Sequence, residues 1–177
     1  MTFTVLIGGV RSGKSDLAAQ LAGRSDGPVV FIATAEAGDD EMAARIARHR
    51  AARPAHWSTV EAPVELRQAI SNAPDDASLV VDCLTIWISN LIAHELSDAE
   101  ILRLSEEAAT SARARRTTIV VVTNEVGAGI VPDNALARRY RDLLGSTNTM
   151  WAAAADRTLL VVAGRVLGLQ TMEGFDG

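Results

Sequence analysis

Lysine is almost absent from this chain: Lys14 is the only one, and every other basic side chain apart from histidine is arginine. Cysteine is equally scarce. The single Cys83 excludes an intramolecular disulfide and suits a reducing compartment. No stretch reaches the ~18 apolar residues of a membrane span, and no basic region precedes a long apolar run near the start. A cytoplasmic protein without a membrane span is therefore expected. Excess positive charge is lacking too. The net charge of −5 argues against a broad nucleic-acid-binding face, so no nucleic-acid partner is expected. Repeats, linkers and low-complexity segments are missing as well. What remains is 177 residues, 48% of them apolar, enough for one α/β domain over residues 1–177 with the last few frayed.

Against this background the stretch Gly8-Gly9-Val10-Arg11-Ser12-Gly13-Lys14-Ser15 stands out, because it fits the Walker A pattern G-x-x-x-x-G-K-[ST]. Its context fits as well: residues 3–7 predict a buried strand, and residues 16–22 a helix ending near Gly23. Glycines at these positions let backbone N–H groups turn towards phosphate oxygens, and the helix N-terminus adds its positive dipole end. Lys14 is placed to reach the terminal phosphates, and the Ser15 hydroxyl suits Mg²⁺. The protein is expected to bind a nucleoside triphosphate with Mg²⁺.

Strand-like and helix-like segments then alternate, the pattern of a mostly parallel sheet flanked by helices. Residues 29–33, 78–82 and 117–123 predict buried strands, and 59–60 a short one. Helices are expected from Asp39 or Asp40 to about Ala52, from Pro63 to about Ser71, over 84–92, and after the capping box Ser97-Asp98-Ala99-Glu100. A long helix follows Pro132-Asp133, with Leu136, Tyr140, Leu143, Leu144, Thr147 and Trp151 as its buried stripe and Gly145 as a soft spot. Residues 158–163 and 165–169 suggest a terminal strand pair joined around Gly164.

Several side chains are candidates for chemistry. Asp82 ends an apolar strand, as a Walker B carboxylate does, and would share Mg²⁺ with Ser15; its competing role is to start the next helix. In residues 45–53, Arg45, Arg48, Arg50 and Arg53 surround His49. On a helix, Arg45 and Arg53 would share the histidine's face, and nearby cations would hold the imidazole neutral, as a nucleophile must be. A solvated basic face is the alternative. Glu125, after the central strand, lies where open parallel sheets bind ligands and is a candidate base or substrate contact. Arg138, Arg139 and Arg141 form either a phosphate-reaching set or a solvated face. His56 reads as a packing or hydrogen-bonding residue and His94 as a helix-end residue.

The chain resembles the bifunctional adenosylcobinamide kinase / adenosylcobinamide-phosphate guanylyltransferases of cobalamin synthesis. The resemblance runs from Gly8 to about Leu169. It rests on the P-loop, Ile32-Ala33-Thr34, residues 39–46, His49, Arg53-Pro54-Ala55-His56-Trp57, residues 123–132, Asn148 and residues 152–156. It implies a RecA-like P-loop fold, a homotrimer and two reactions on one corrinoid. Adenosylcobinamide is first phosphorylated by GTP or ATP, and its phosphate then receives GMP from GTP. The resemblance places the guanylylated residue at His49. It places nucleotide contacts on residues 8–15, Thr34, Ala35, Glu36, Arg50, Ala51, Ala52, Arg53, Glu61 and Asp82. Some family members carry Glu at this last position. Two other readings of the P-loop are a small-molecule kinase without guanylyl transfer and a nucleotide-hydrolysing switch protein.

Overall fold

The computed structural model describes residues 2–25, 27–36, 38, 40–51 and 53–172, and leaves undescribed the side chains at 41, 42, 45 and 49. Its strands are β1 (Phe3–Gly8), β2 (Val29–Ala33), β3 (Ser58–Glu61), β4 (Ser78–Asp82), β5 (Ile119–Asn124), β6 (Arg157–Val162) and β7 (Arg165–Leu169). Its helices are α1 (Lys14–Ala22), α2 (Asp40–Ala51), α3 (Leu66–Asn72), α4 (Leu84–Ala93), α5 (Asp98–Ala114) and α6 (Ala135–Ala154).

The strands form one sheet in the order β3-β2-β4-β5-β1-β6-β7. Every neighbouring pair is parallel except β6 with β7, the expected terminal pair. β1, β2, β4 and β5 are apolar almost without interruption because both faces of the sheet are covered. Alternate residues separate the two cores. Val5, Val30, Val81 and Val121 pack with Leu66, Trp87, Ile101 and Trp151 from α3, α4, α5 and α6. Leu6, Phe31, Val80 and Val122 pack with Ala18 and Ala22 of α1. In α4 alone, Leu84, Trp87, Ile88 and Leu91 are buried, each worth about 1.5–3 kcal/mol of transfer free energy.

Local chemistry moved three boundaries from their expected positions. α3 begins at Leu66 and not at Pro63: the Leu66 N–H bonds the Val64 carbonyl at 2.9 Å, and the Pro63 carbonyl is taken by Asn90 Nδ2 at 3.0 Å. β5 starts at Ile119, after Thr117 has turned its hydroxyl to the Ala77 carbonyl at 2.7 Å. α6 starts beyond Asp133 because Asn134 is its N-cap, with Oδ1 accepting from the N–H groups of Leu136 at 2.8 Å and Ala137 at 3.2 Å. That geometry leaves Leu136 57% exposed instead of buried, whereas Leu143, Leu144, Thr147 and Trp151 are buried as the stripe requires. α6 runs unbroken through Gly145, and Ser97 and Glu100 form the expected capping box on α5.

Candidate active site

The loop after β1 is shaped by two glycines. A Cβ on Gly8 would stand 2.1 Å from the Val161 carbonyl oxygen of β6, so only glycine lets the two strands approach. Gly13 has φ 100°, a left-handed conformation disfavoured for L side chains, and is the N-cap of α1. It supplies no side-chain acceptor, so the first amides of the helix remain available to an anion. Lys14 is buried. Its Nζ donates to the carbonyls of Gly8 at 2.9 Å and Gly9 at 2.6 Å. Burial lowers its pKa below the ordinary lysine value, an effect opposed by the neighbouring Asp82 carboxylate. Ser15 Oγ donates to Asp82 Oδ2 at 3.1 Å, which joins the first turn of α1 to the tip of β4.

These groups line a cavity of about 820 Å³ at the carboxyl end of the sheet. Of the expected nucleotide contacts, Val10, Arg11, Ser12, Gly13, Lys14, Ser15, Ala35, Arg53 and Asp82 line it. Gly8 and Gly9 instead hold the lysine. Thr34 is buried behind the wall, its hydroxyl donating to the Cys83 carbonyl and accepting from the Cys83 N–H, both at 2.8 Å. Arg50 and Glu61 face each other at 3.8 Å on the exposed surface, away from the cavity lining. Glu36 and Ala51 are exposed and do not line the cavity. Ala52, like Asp39, lies outside the described residues, and the side chains of His49 and Arg45 do too.

Arg53 lies beyond the last residue of α2, Ala51, with its N–H bonding the Arg50 carbonyl at 3.3 Å. Its guanidinium stacks on the Phe31 ring, 3.5 Å from the centroid, and Nη1 donates to Thr59 Oγ1 at 3.2 Å. Its buried Nε has no hydrogen-bond partner among the described residues. The arginines of α6 are structural: Arg138 bonds the Pro132 and Asp133 carbonyls, Arg139 pairs with Asp98, and Arg141 with Asp142. Glu125 is exposed, its carboxylate accepting from the Gly127 N–H. His56 is exposed, and His94 caps α4 through its N–H to the Asn90 carbonyl. Arg48, one of the arginines around His49, and Asn124, at the strand end where ligand contacts were expected, line the cavity, as do Phe31 and Trp57, which were not singled out from the sequence as its wall.

An oxygen-donor pair, hydroxyl and carboxylate, beside a phosphate cradle is the donor set a hard divalent cation takes. Among the described residues no group of three or more His, Cys, Asp or Glu could hold a metal, so such a cation would need phosphate and water oxygens to complete its shell.

The family model described as cobinamide kinase / cobinamide phosphate guanyltransferase matches residues 4–169. The chain belongs to that family. It is 43% identical over 168 residues to the bifunctional adenosylcobalamin biosynthesis protein CobP of Pseudomonas aeruginosa, covering 94% of this chain and 96% of that protein. The bifunctional adenosylcobalamin biosynthesis protein CobU of Salmonella typhimurium is 42% identical over 178 residues, covering 90% of this chain and 95% of its own. Among solved structures, a Pyrococcus horikoshii protein superposes with a TM-score of 0.57 at 8% identity, over 98% of this chain and 88% of that one. A type III secretion ATPase of pathogenic bacteria gives 0.54 at 10% identity, over 97% and 59%. These two likenesses show the fold alone, a mostly parallel sheet flanked by helices. Among the described residues no helix is long and apolar enough to cross a membrane.

Proposed function

We propose that this chain phosphorylates adenosylcobinamide with a nucleoside triphosphate and then transfers GMP from GTP to the resulting phosphate. The observation that carries this reading is the convergence of Lys14, Ser15 and Asp82 on one cavity, in a chain whose family match runs almost end to end. The match does not favour a simple kinase or a hydrolysing switch.

In the first reaction the aminopropanol hydroxyl oxygen attacks the terminal phosphorus and the bond to the bridging oxygen breaks. The hydroxyl proton is released and a nucleoside diphosphate leaves. The amides after Gly13 hold the phosphates, and Lys14 Nζ exchanges its loop carbonyls for phosphate oxygens. Mg²⁺, held by Ser15 and Asp82, supplies charge neutralisation on those oxygens when bound. In the second reaction a neutral His49 ring nitrogen attacks the α-phosphorus of GTP and pyrophosphate leaves, giving a phosphoramidate after loss of the other ring proton. A phosphate oxygen of adenosylcobinamide phosphate then displaces the imidazole and forms adenosylcobinamide-GDP. Arg53 and Arg48, which line the same cavity as the P-loop, offer positive charge to the pyrophosphate.

The family resemblance also underlies a homotrimer in the cytoplasm. The exposed apolar Val166, Leu167 and Leu169 of the edge strand β7 support self-association. The deciding experiment is labelling with GTP carrying its label on the α- or the terminal phosphate. The α-label should remain on the protein through an acid-labile, alkali-stable bond mapped to His49. His49→Asn should lose both label and guanylyl transfer while retaining kinase activity. Label on Lys14, or full transfer by the variant, would remove His49 from the mechanism.

A further inference from the structure

The P-loop leans on the last hairpin of the sheet. β6 runs parallel to β1 with Ile7 level with Leu160, so the residues after Leu160 continue alongside the loop that follows β1. β6 and β7 are joined by Ala163 and Gly164, at φ 49° and 70°, between the paired residues Val162 and Arg165. Two left-handed residues in a two-residue connection give the turn whose twist suits the flanking strands. Val162 and Arg165 complete the strand pairing, which leaves the Gly164 N–H over at the tip. It donates to the Ser12 carbonyl of the P-loop at 2.9 Å.

Ser12 is held on its other side too. It is buried, and its hydroxyl accepts from Lys14 Nζ at 3.4 Å. Arg11, just before it, has φ 57°, a left-handed backbone that a non-glycine residue keeps only where its surroundings hold it there. The next N–H along the chain, that of Gly13, donates to no described residue. Its direction is set by the carbonyl before it. In a planar trans peptide C=O and N–H point to opposite sides, so a donor that draws the Ser12 oxygen to the hairpin leaves the Gly13 N–H facing away from the hairpin. Gly13 lines the cavity. Turned over, the same peptide would offer its carbonyl to the phosphates, and repulsion would replace a hydrogen bond.

We propose that Gly164 is a positioning residue of the nucleotide site: its N–H locks the Ser12–Gly13 peptide with the Gly13 N–H towards the phosphates, and the hairpin at the sheet edge thereby sets the affinity of the P-loop. Gly164 acts through Ser12 and not on the substrate. A Cβ at this position would meet nothing within 4 Å, so the backbone angle alone favours glycine, and asparagine tolerates that angle. The role rests on the P-loop binding a nucleoside triphosphate, and not on which acceptor is phosphorylated.

The test uses semisynthetic full-length chains that carry either glycine or glycolic acid at position 164, so that only the N–H is exchanged, for an ester oxygen. Gly164→Asn, which keeps the N–H and the left-handed backbone, is the conservative control. Each is titrated calorimetrically, with Mg²⁺, against a non-hydrolysable GTP analogue and against inorganic pyrophosphate. An unlocked peptide that faces inward about one time in ten lowers the apparent affinity ~10-fold. The ester chain should show that loss for the analogue and for pyrophosphate alike, whereas Gly164→Asn should stay close to wild type. With one hydrogen bond gone the ester chain should melt a few degrees lower, and the analogue should raise its midpoint by less than that of the other two. A lowered midpoint with unchanged affinity for both ligands would overturn the assignment, because the bond would then hold the hairpin and not the phosphate amide. So would a loss in Gly164→Asn as deep as in the ester. Transfer to adenosylcobinamide is read separately: a wild type that binds the analogue but phosphorylates no corrinoid removes the kinase reading, and the titrations still decide the role of Gly164.

Discussion

Lys14 illustrates how a short motif fixes chemistry at the scale of one residue. The covalent spacing of Gly8, Gly13, Lys14 and Ser15 sets where an ammonium and a hydroxyl can stand, whatever the rest of the fold does. The structure adds that Nζ is nearly sealed from water and satisfied by Gly8 and Gly9 carbonyls. Burial raises the share of neutral amine but restricts reagent access, so acylation of Lys14 should be slow and should need loop opening. Both reactions should decline in step with Lys14 acylation, which peptide mapping separates from that of the N-terminal amine, the one other amine an acylating reagent meets, and a bound Mg²⁺-nucleotide should protect them. The Lys14→Met variant should lose ~10²–10³-fold in each rate. Full activity in protein mapped as acylated at Lys14 would show that the amine is dispensable. Asp82 was legible for a similar reason, as the carboxylate that ends an apolar run. Asn124 was legible only as a place: its backbone bonds to Thr85 and Asn148, both far away in sequence, follow no local pattern.

Elements were read from the sequence about as well as their period allowed. Buried strands and the Ser97 cap are local signals, and β2, β4 and α5 stand where those signals put them. Arg53 shows the limit. Helical spacing set it beside His49, but Arg53 lies beyond α2 and its guanidinium settles on Phe31 of β2, a contact distant in sequence. Pro63 shows it again, since Asn90 of α4 decides where the chain turns. That same asparagine has a consequence for α2, which connects β2 to β3. Its Nδ2 donates to Thr34 O at 2.8 Å, just past β2, and to Pro63 O at 3.0 Å, just past β3. One carboxamide therefore ties together the exits of β2 and β3, the two strands that the crossover carrying His49 joins. Removing it leaves two partly buried carbonyls without their donor, at a cost of about 1–3 kcal/mol. Asn90→Ala should slow single-turnover labelling of the protein by α-phosphate-labelled GTP roughly 10-fold, while the kinase rate, which depends on the P-loop, changes far less. Parallel losses in the two reactions, measured below the melting range, would show that Asn90 supports the fold and not the placement of α2.

Across the whole molecule, the alternation of strand and helix told the class, and the order of strands came only from the structure. A P-loop strand in the middle requires β1 to be joined to segments from the far end of the chain, and sequence periodicity says nothing about such distant pairs. Asp156 is where that joining is concentrated. Lying between α6 and β6, its Oδ2 accepts from the Phe3 N–H of β1 at 2.8 Å, and its Oδ1 from Arg113 of α5 at 2.5 Å. The Phe3 N–H first, and then Arg113, hold its carboxyl below the usual carboxylate range, although the group is largely in solvent. The sign follows from linkage. A carboxyl that binds its proton less tightly when folded stabilises the fold fully above its unfolded pKa of about 3.9, and that contribution fades as pH falls through the folded value. Because solvent screens the pair, its worth is set at the low end for charged hydrogen bonds, about 1 kcal/mol. Asp156→Asn should therefore melt about 2–4 °C below wild type at pH 7. The gap should stay level down to about pH 5, close as the medium is acidified below about pH 4, and vanish once pH has fallen through the folded value, where the wild-type carboxyl is neutral as well. Thermal melts of the two proteins across that range decide the matter: a gap that persists undiminished at low pH would mean that the shape of the contact, and not its charge, ties the end of the chain to its beginning.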